Sequence, residues 1–302
     1  MKVVVTGATS MIGVAFVEAC IETKNEVLAI VRRNSRHLDR LPESGLVKYV
    51  YSSLEDLESV AEVDGEYDAL FHFAWDYTTR EGRYNVEGQE KNIEYTLKAV
   101  KLAQKLSCKK FIGAGSQAEY GKVDGIIDDK TPFNPQIPYG MAKLAAYWLS
   151  KALCEQNNMK HYWGRIFSIY GKYDHEGTLL PYAIDALRKG EKAYFSSGRQ
   201  TWNYLHAKDA GRMFLEICLQ DAEPGTYFIA HDHSAPLKSY LNEVIAMFGT
   251  DAEYEFEDDC STSLNGIHPD MSSTFQRLSF QPKISFTEGI REMIEYRSMK
   301  KE

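Results

Sequence analysis

Residues 1–13 of this 302-residue chain read MKVVVTGATSMIG, and this stretch decides the fold. The apolar, β-branched segment Lys2–Thr6 predicts a buried strand, and residues 12–23 after it predict a helix. Short β-branched segments followed by helical stretches recur through the first 170 residues. Because this alternation is typical of βαβ units, we predict an α/β fold with a doubly wound parallel sheet.

Further predicted elements continue this pattern. The remaining strand candidates are Glu26–Val31, Val47–Tyr51 and residues 69–73, 110–113 and 161–166, and the remaining helices cover residues 85–106 and 139–156. From residue 173 onward the alternation becomes irregular, and the acidic stretch 251–259 predicts a solvated surface. We therefore predict one domain at 1–172, with a returning segment near 205–230, and a smaller C-terminal lobe at 173–302. The cleft between them is the expected ligand site.

The turn after the first strand has the composition of a phosphate-binding loop. Small residues there let backbone amides approach a pyrophosphate, and the helix N-terminus adds partial positive charge. Ser10 stands where the pattern TGxxGxxG has its middle glycine, so a plain tight turn is the alternative. If this turn is a phosphate-binding loop, the domain is Rossmann-like, and this is the fold that we predict. Its expected cofactor contacts here are Gly7, Thr9, Ser10, Met11, Ile12 and Gly13.

Arginines follow the second predicted strand, where an NAD-binding fold usually carries an acidic residue for the adenosine ribose 2′-hydroxyl. Residues 32–36 read RRNSR. The guanidinium groups of Arg32 and Arg33 suit a ribose 2′-phosphate instead, so we predict NADP (NADPH) as the cofactor. A solvated basic loop is the alternative.

A tyrosine followed four residues later by a lysine occurs four times, at 139/143, 147/151, 204/208 and 296/300. Only Tyr139 follows a proline at a predicted helix start, which places Tyr139 and Lys143 on one helix face. The pair also lies downstream of a strand that ends in glycine, alanine and glycine before Ser116. We therefore predict Ser116, Tyr139 and Lys143 as the catalytic residues.

These three residue types suit hydride transfer. A tyrosine pKa near ~10 must fall by about three units for action near neutrality, and the Lys143 ammonium can supply part of that. Ser116 can hydrogen-bond the reacting oxygen and hold it near Tyr139 while hydride moves between a carbon and a nicotinamide. An ordinary turn serine is the alternative for Ser116 alone.

Together these residues resemble the extended short-chain dehydrogenase/reductase family of sugar-nucleotide epimerases, dehydratases and reductases, over nearly the whole chain. The matching segments are TGATSMIG at 6–13, FHFAW at 71–75, Asn92, SQAEYG at 116–121, YGMAK at 139–143 and RIFSIYG at 165–171. The resemblance implies that Tyr139 is the general acid/base and that Lys143 also holds the nicotinamide ribose. Implied further cofactor contacts are Ser53, Leu54, Phe73, Ala74, Trp75 and Asn92. Implied substrate contacts are Asp76, Tyr77, Arg80, Ser168 and Arg199, with a solvated loop as the alternative for the first three.

The GDP-mannose 4,6-dehydratase branch resembles the chain at the double arginine and at residues 135–148. That branch carries an acidic residue where Ala118 stands here. Without a carboxylate at this place, water elimination lacks its base. Glu119 is adjacent, but its phase along the chain is wrong for that role.

Other departures fall on the substrate side. Two family arginines are replaced, by Trp202 and His268, and Ser168 replaces a family asparagine. Arg199 and Arg277 are near enough in sequence to substitute for the lost charges, with a surface side chain as the alternative for each.

The leading hypothesis is an NADPH-dependent reductase of deoxysugar biosynthesis. Its substrate would be a nucleotide-linked sugar, expected to be a 4-keto-6-deoxy sugar, and Tyr139 would protonate the carbonyl oxygen. A sugar-nucleotide epimerase, which oxidises and re-reduces one carbon, is the alternative, and the double arginine argues against it. A non-catalytic NADP-binding regulator is a third hypothesis, against which the intact trio argues.

The net charge and composition argue against several classes of binding partner. A formal charge of −8 gives no broad positive field for nucleic acid or an anionic membrane. No signal peptide or membrane-spanning run is recognisable. The cysteines are scattered, and we predict reduced thiols and no metal site. They are Cys20, Cys108, Cys154, Cys218 and Cys260. We expect a cytoplasmic enzyme that forms a homodimer.

Overall fold

The computed structural model describes residues 1–60, 65–258 and 266–299, so Asp259, Cys260 and Lys300 lie outside the described residues. The strands are β1 Lys2–Thr6, β2 Glu26–Val31, β3 Val47–Tyr51, β4 Ala69–His72, β5 Lys110–Ser116, β6 Lys160–Ile166, β7 Ser168–Tyr170, β8 Ala193–Phe195, β9 Thr201–Trp202, β10 Tyr204–His206, β11 Gly225–Ile229, β12 Ala235–Pro236 and β13 Tyr254–Phe256. The helices are α1 Met11–Glu22, α2 Val86–Lys105, α3 Pro138–Gln156, α4 Leu179–Arg188, α5 Ala207–Leu219, α6 Leu237–Ala246, α7 Ser272–Arg277 and α8 Phe286–Met299.

The main sheet has seven parallel strands in the order β11-β6-β5-β4-β1-β2-β3. Strand order reverses between β1 and β4, because the chain first builds outward from β1 to β3 and then from β4 to β11. In open α/β sheets the ligand crevice lies at the carboxyl ends of the strands at such a switch point. The predicted doubly wound parallel fold is confirmed, and it places the crevice beyond β1 and β4.

Helices cover both faces of the sheet. On one face α1 and α5 pack together so closely that a Cβ at Gly211 would lie 2.6 Å from the α1 backbone. On the other face, apolar residues of α2 such as Val100 pack against Val4 and Leu70 of the sheet. A further apolar cluster joins α4, α6 and α8 around Tyr240. The division of the chain into domains at residue 172 stays a prediction.

Most predicted bounds agree with the structure to within one residue, but β5 continues past residue 113 to Ser116. Gly113 and Gly115 suggest a turn in the sequence, yet both face Trp163 on β6, and a Cβ at either position would overlap its indole ring. These glycines therefore allow close packing within the sheet. As a result Ser116 ends a central strand, where backbone position is well fixed.

Among the described residues, no helix is both long enough and apolar enough to cross a membrane. The four cysteines in this part of the chain are buried and unpaired. Burial raises the pKa of Cys20, Cys108 and Cys154 to about 12, so these thiols are poor nucleophiles.

Candidate active site

The glycine turn after β1 is held by close contacts and a helix cap. A Cβ at Gly7, whose φ is 74°, would lie 2.6 Å from the Ala74 nitrogen beyond β4, and a Cβ at Gly13 would overlap the Gly7 carbonyl. Ser10 is the N-cap of α1, and its hydroxyl accepts a hydrogen bond of 3.1 Å from the Gly13 amide. The serine therefore starts the helix where the family pattern has a glycine. The α1 N-terminus, with Met11 in its first turn, points toward the crevice edge of the sheet.

A cavity of about 700 Å³ adjoins this turn at the ends of β2 and β3. Its lining residues are Thr9, Arg32, Arg33, Asn34, Ser35, Arg36, His37, Tyr51, Ser52, Ser53 and Asp56. The Arg33 guanidinium lies 5.2 Å from the centroid of the Tyr51 ring, and Arg32 forms an exposed ion pair of 3.6 Å with Asp76. Leu54 instead packs against the apolar cluster beneath α2. Of the residues predicted for the cofactor, the cavity therefore brings together Thr9, Arg32, Arg33 and Ser53, and Leu54 does not line it.

The glycine turn, the helix N-terminus and this cavity together fit a dinucleotide. The two glycines leave room for a pyrophosphate beside backbone amides, and the arginines lie at the adenosine end.

Two aromatic side chains predicted to contact the cofactor, Phe73 and Trp75, pack against other residues of the protein. Phe73 is buried, and its ring packs edge-on to Phe16 at 5.3 Å, so it belongs to the core. The Trp75 indole N–H donates to Gln89 at 2.9 Å, and the Trp75 ring centroid lies 3.5 Å from Lys143 Nζ. Trp75 therefore belongs to the catalytic cluster.

Asn92 acts on the loop after β4. Its Oδ1 accepts from the Asp76 amide at 2.8 Å, and its Nδ2 donates to the carbonyls of Asp76 and Gly88 at 3.0 Å each. Asn92 therefore ties the loop after β4 to α2, and its predicted contact with the cofactor stays a prediction. Tyr77 has φ 58° and packs its ring over Gly88. Arg80 is exposed on the same loop.

Ser116 and Tyr139 meet because α3 begins directly against the turn after β5. That turn is a 3₁₀ turn at Gln117–Glu119, and a Cβ at Gly140 would overlap the Ala118 carbonyl. Glycine next to Tyr139 therefore allows the approach. Burial raises the pKa of Tyr139 above its usual value, while Arg83 and a hydrogen bond with Ser116 act in the opposite direction.

Lys143 lies one helical turn further on and is 4% exposed. Its ammonium donates to the Ala114 carbonyl at 2.7 Å. Burial lowers the pKa of Lys143 to about 7, against an opposing effect of Glu119. The Lys143 nitrogen lies 5.8 Å from the centroid of the Tyr139 ring. The predicted trio is therefore one cluster, at the switch-point edge of the sheet.

The cation nearest the Tyr139 ring is one that the sequence did not indicate. Arg83, on a 3₁₀ turn at Gly82–Tyr84, lies 5.0 Å from the ring centroid and contributes to lowering the Tyr139 pKa. The sequence indicates only Lys143 as a cation that supplies part of the required shift in the Tyr139 pKa. The depressed pKa of Lys143, about 7, makes this lysine a weaker source of charge at neutrality. An arginine in a short turn gives no sequence signal for this role.

Glu119 is fully buried directly behind Ser116. Its carboxylate accepts hydrogen bonds from the Ser116 amide at 2.8 Å, the Trp163 indole at 3.0 Å and Arg165 Nε at 2.7 Å. Both oxygens are thus occupied, which agrees with the expectation that Glu119 does not replace the acid missing at Ala118.

Two residues that differ from the family pattern on the substrate side are in contact with each other. The Trp202 indole N–H donates to the Ser168 hydroxyl at 3.0 Å, so the replaced arginine and the replaced asparagine form one pair. The expectation that Arg277 substitutes for a lost charge is wrong, because its guanidinium donates to the Thr226 carbonyl and lies over a tyrosine of β11. Arg199 is exposed beside β9.

Comparison with known proteins gives one family and one fold. Residues 3–230 match the family model described as NAD dependent epimerase/dehydratase family. GDP-mannose 4,6 dehydratase of Cricetulus griseus is 25% identical over 345 residues, which cover 96% of this chain and 90% of that protein. Human dTDP-D-glucose 4,6-dehydratase is 28% identical over 215 residues, which cover 68% of this chain and 61% of that protein.

Two solved structures illustrate the shared fold. A UDP-N-acetylglucosamine 4-epimerase from Methanobrevibacter ruminantium M1 superposes with a TM-score of 0.87 at 22% identity, over 99% of each chain. A UDP-glucuronic acid 4-epimerase from Bacillus cereus, in complex with NAD, gives 0.83 at 18% identity over 100% of each chain. The fold is thus shared over the whole length.

Proposed function

This chain belongs to the NAD dependent epimerase/dehydratase family, and from that premise we propose that it is an NAD(P)-dependent sugar-nucleotide epimerase. The observation that carries the proposal is the cluster of Ser116, Tyr139 and Lys143, in which the neighbouring carboxylate of Glu119 is already taken up by hydrogen bonds. Ala118 stands at the place of the dehydratase acid, and both oxygens of Glu119 are occupied. The site supports proton transfer at one oxygen but not removal of a carbon-bound proton.

In the proposed reaction a nicotinamide cofactor, held by the glycine turn and the cavity at β2, would supply the acceptor and donor of hydride for one sugar carbon. Tyr139 takes the proton from the sugar hydroxyl and gives it back to the oxygen. Ser116 holds that oxygen by a hydrogen bond. Lys143 and Arg83 supply positive charge that favours the ionised tyrosine. For epimerisation the keto sugar must turn between the two transfers, so the substrate pocket has to admit two orientations.

A reductase is the second candidate, favoured by the arginines that line the cavity at β2. Such an enzyme would reduce a nucleotide-linked 4-keto-6-deoxy sugar with NADPH. Epimerisation stands first because 4-epimerases share the fold over the whole chain at TM-scores of 0.83 and 0.87. Several sequence relatives are dehydratases, and Ala118 argues against that outcome here. The proposed substrate contacts remain Asp76, Tyr77, Arg80, Ser168 and Arg199.

An activity assay separates these outcomes. The protein is incubated with a panel of sugar nucleotides and of nucleotide 4-keto-6-deoxy sugars, with NAD, NADP or NADPH, and products are identified by mass and NMR. A product of unchanged mass without net use of cofactor supports the epimerase. Stoichiometric loss of NADPH supports the reductase instead, and loss of water from the sugar contradicts both.

Cofactor preference should depend on the arginines. We expect the double variant Arg32→Asp, Arg33→Ser to lose about 100-fold in affinity for NADP and little for NAD, because a 2′-phosphate loses two charge-assisted partners. Calorimetric titration of both cofactors measures this. Arg188→Ser, exposed at the end of α4 and outside the cavity, is the matched control. Equal loss for NAD and NADP would contradict the NADP preference.

We also propose that two copies associate through α3 and that the dimer works in the cytoplasm, where its unpaired thiols suit a reducing medium. Met141, Trp148 and Leu149 on this helix are each 48 to 50% exposed, an unusual apolar density on one helix surface. We expect Leu149→Glu to halve the mass seen by sedimentation equilibrium. Tyr194→Glu is the control, because Tyr194 on β8 is 60% exposed and lies far from α3 in the sequence. A dimer that persists in Leu149→Glu would contradict this interface.

A further inference from the structure

We propose that Glu119 is a positioning residue, which fixes Ser116 and tunes Tyr139 and Lys143 through a buried network with Trp163 and Arg165. The inference rests on the proposed function, because it assigns a role within the same hydride-transfer site. It concerns a carboxylate behind the reacting groups rather than one that touches substrate.

The turn after β5 holds Ser116 by two hydrogen bonds. Glu119 Oε1 accepts from the Ser116 amide at 2.8 Å, and the Ser116 hydroxyl accepts from the Ala118 amide at 3.2 Å. This reciprocal pair is a capping box on the turn after β5. The backbone and the side chain of Ser116 are therefore both held by one turn, and that turn is closed by the carboxylate of Glu119.

The sheet is shaped to hold the Glu119 carboxylate. Trp163 donates its indole N–H to Glu119 from β6, the next strand. A Cβ at Gly115 would lie 2.6 Å from Glu119 Oε1 and would overlap the Trp163 nitrogen. Glycine at this strand position leaves the space that the network occupies. The buried charge is thus built into the junction of β5 and β6.

Glu119 forms a buried ion pair with Arg165. Arg165 Nε donates to Glu119 Oε2 at 2.7 Å, and the two side chains are 4% and 0% exposed. The guanidinium also bonds the Tyr120 hydroxyl at 3.2 Å and lies over the Phe133 and Tyr147 rings. Among the described residues, its second terminal nitrogen is buried without a hydrogen-bond partner. Glu119 is therefore the carboxylate that keeps this cation compensated.

The network also faces the proton-transfer groups. Arg83 from the 3₁₀ turn and Lys143 from α3 lie 5.0 and 5.8 Å from the centroid of the Tyr139 ring. Glu119 from the turn after β5 also acts on Tyr139, and Arg165 of β6 is paired with Glu119. Glu119 raises the pKa of Lys143 and of Tyr139, opposing Arg83 in both cases. It thus keeps Lys143 more fully charged and keeps Tyr139 protonated to a higher pH.

Two variants separate charge from hydrogen bonding. Glu119→Gln keeps an oxygen for the Ser116 amide but removes the charge. The double variant Glu119→Leu, Arg165→Met removes the acceptor together with the cation that would otherwise be left unpaired, so that folding is not burdened by a buried charge. Asp209→Asn is the matched control, because Asp209 is equally buried and paired with Arg212 but bonds the backbone at Lys283 and Ile284.

For the double variant we expect kcat to fall by about 10- to 100-fold, with KM and the cofactor Kd within about threefold of the parent. For Glu119→Gln we expect the acid limb of the kcat/KM profile to move to lower pH by about one unit, because a nearby negative charge is lost. The control variant should lower Tm without changing either quantity. A kcat within threefold of the parent in the double variant, with an unmoved acid limb in Glu119→Gln, would show a merely structural role and overturn the proposal.

A titration without substrate makes the result independent of the proposed function. The Tyr139 resonance is followed by ¹³C NMR in tyrosine-labelled protein and assigned with Tyr139→Phe. A lower Tyr139 pKa in Glu119→Gln than in the parent supports the network, even if no sugar nucleotide is turned over. An unchanged pKa refutes the tuning, whatever the outcome of the activity assay.

Discussion

Replacing Tyr139 by phenylalanine should lower turnover by about three orders of magnitude and leave cofactor affinity within about threefold. The change removes only the hydroxyl that moves the proton. The ring keeps its edge-on contact with Trp75 at 6.1 Å and its place beneath Arg83 at 5.0 Å, so the cluster stays packed. Steady-state kinetics on the substrate found in the activity assay, with fluorescence titration of the cofactor, gives both quantities.

The matched control is Tyr147→Phe. Tyr147 lies on the same helix, also four residues before a lysine, but its ring packs against Trp163 at 5.7 Å and over Arg165 at 5.0 Å. Phenylalanine preserves these ring contacts, so we expect turnover within a few-fold of the parent. Full activity in Tyr139→Phe, or an equal loss in Tyr147→Phe, would show that the trio is wrongly assigned.

Local sequence signals predict those parts of the site that depend on residues near each other in the chain. Strand and helix periodicity located β1, α1 and the start of α3, and the proline before Tyr139 distinguished one tyrosine–lysine pair from three others. The serine in place of the middle glycine at residue 10 weakened the turn signal. It does so because the pattern describes backbone freedom, whereas here a side chain caps the helix.

What sequence could not give depends on contacts between distant segments. Arg83 reaches Tyr139 from a loop 56 positions earlier in the chain, and Trp75 meets Lys143 across the end of the sheet. The sequence places Glu119 next to Ala118, but its partners on β6 follow only from strand register. Likewise Trp202 and Ser168 were noted as separate losses, and only the fold pairs them. Such pairings leave no periodic pattern in the sequence, so they cannot be predicted from a single sequence.

The Trp202 and Ser168 pair has a consequence for the substrate. An indole bonded to a hydroxyl offers a flat, largely apolar surface where a guanidinium would offer charge. If a diphosphate binds here, its charge has to be met from elsewhere, with Arg199 and Arg80 as proposed sources.

Replacing Lys143 by methionine should abolish useful turnover and at the same time stabilise the cofactor-free protein by about 3 kcal/mol at pH 7. Lys143 is 4% exposed, and burial lowers its pKa from 10.5 to about 7. Between pH 10.5 and about pH 7, Lys143 is protonated in the unfolded chain but largely neutral in the folded protein. Stability is therefore lost as the pH falls through this window, and the full cost is present below pH 7.

Methionine has no proton to bind, so its advantage should be greatest at pH 7 and below and should shrink toward pH 10. Urea unfolding of Lys143→Met and the parent at pH 7 and pH 10 measures this difference. Lys151→Met is the matched control, since Lys151 lies on the same helix but its side chain is 42% exposed, and we expect its stability within about 0.5 kcal/mol of the parent. A destabilised Lys143→Met, or a gain that is equal at both pH values, would contradict the claim that the site holds this lysine at the expense of stability. The expected result identifies Lys143 as a residue that folding alone would exchange for an apolar one, and that the reaction requires.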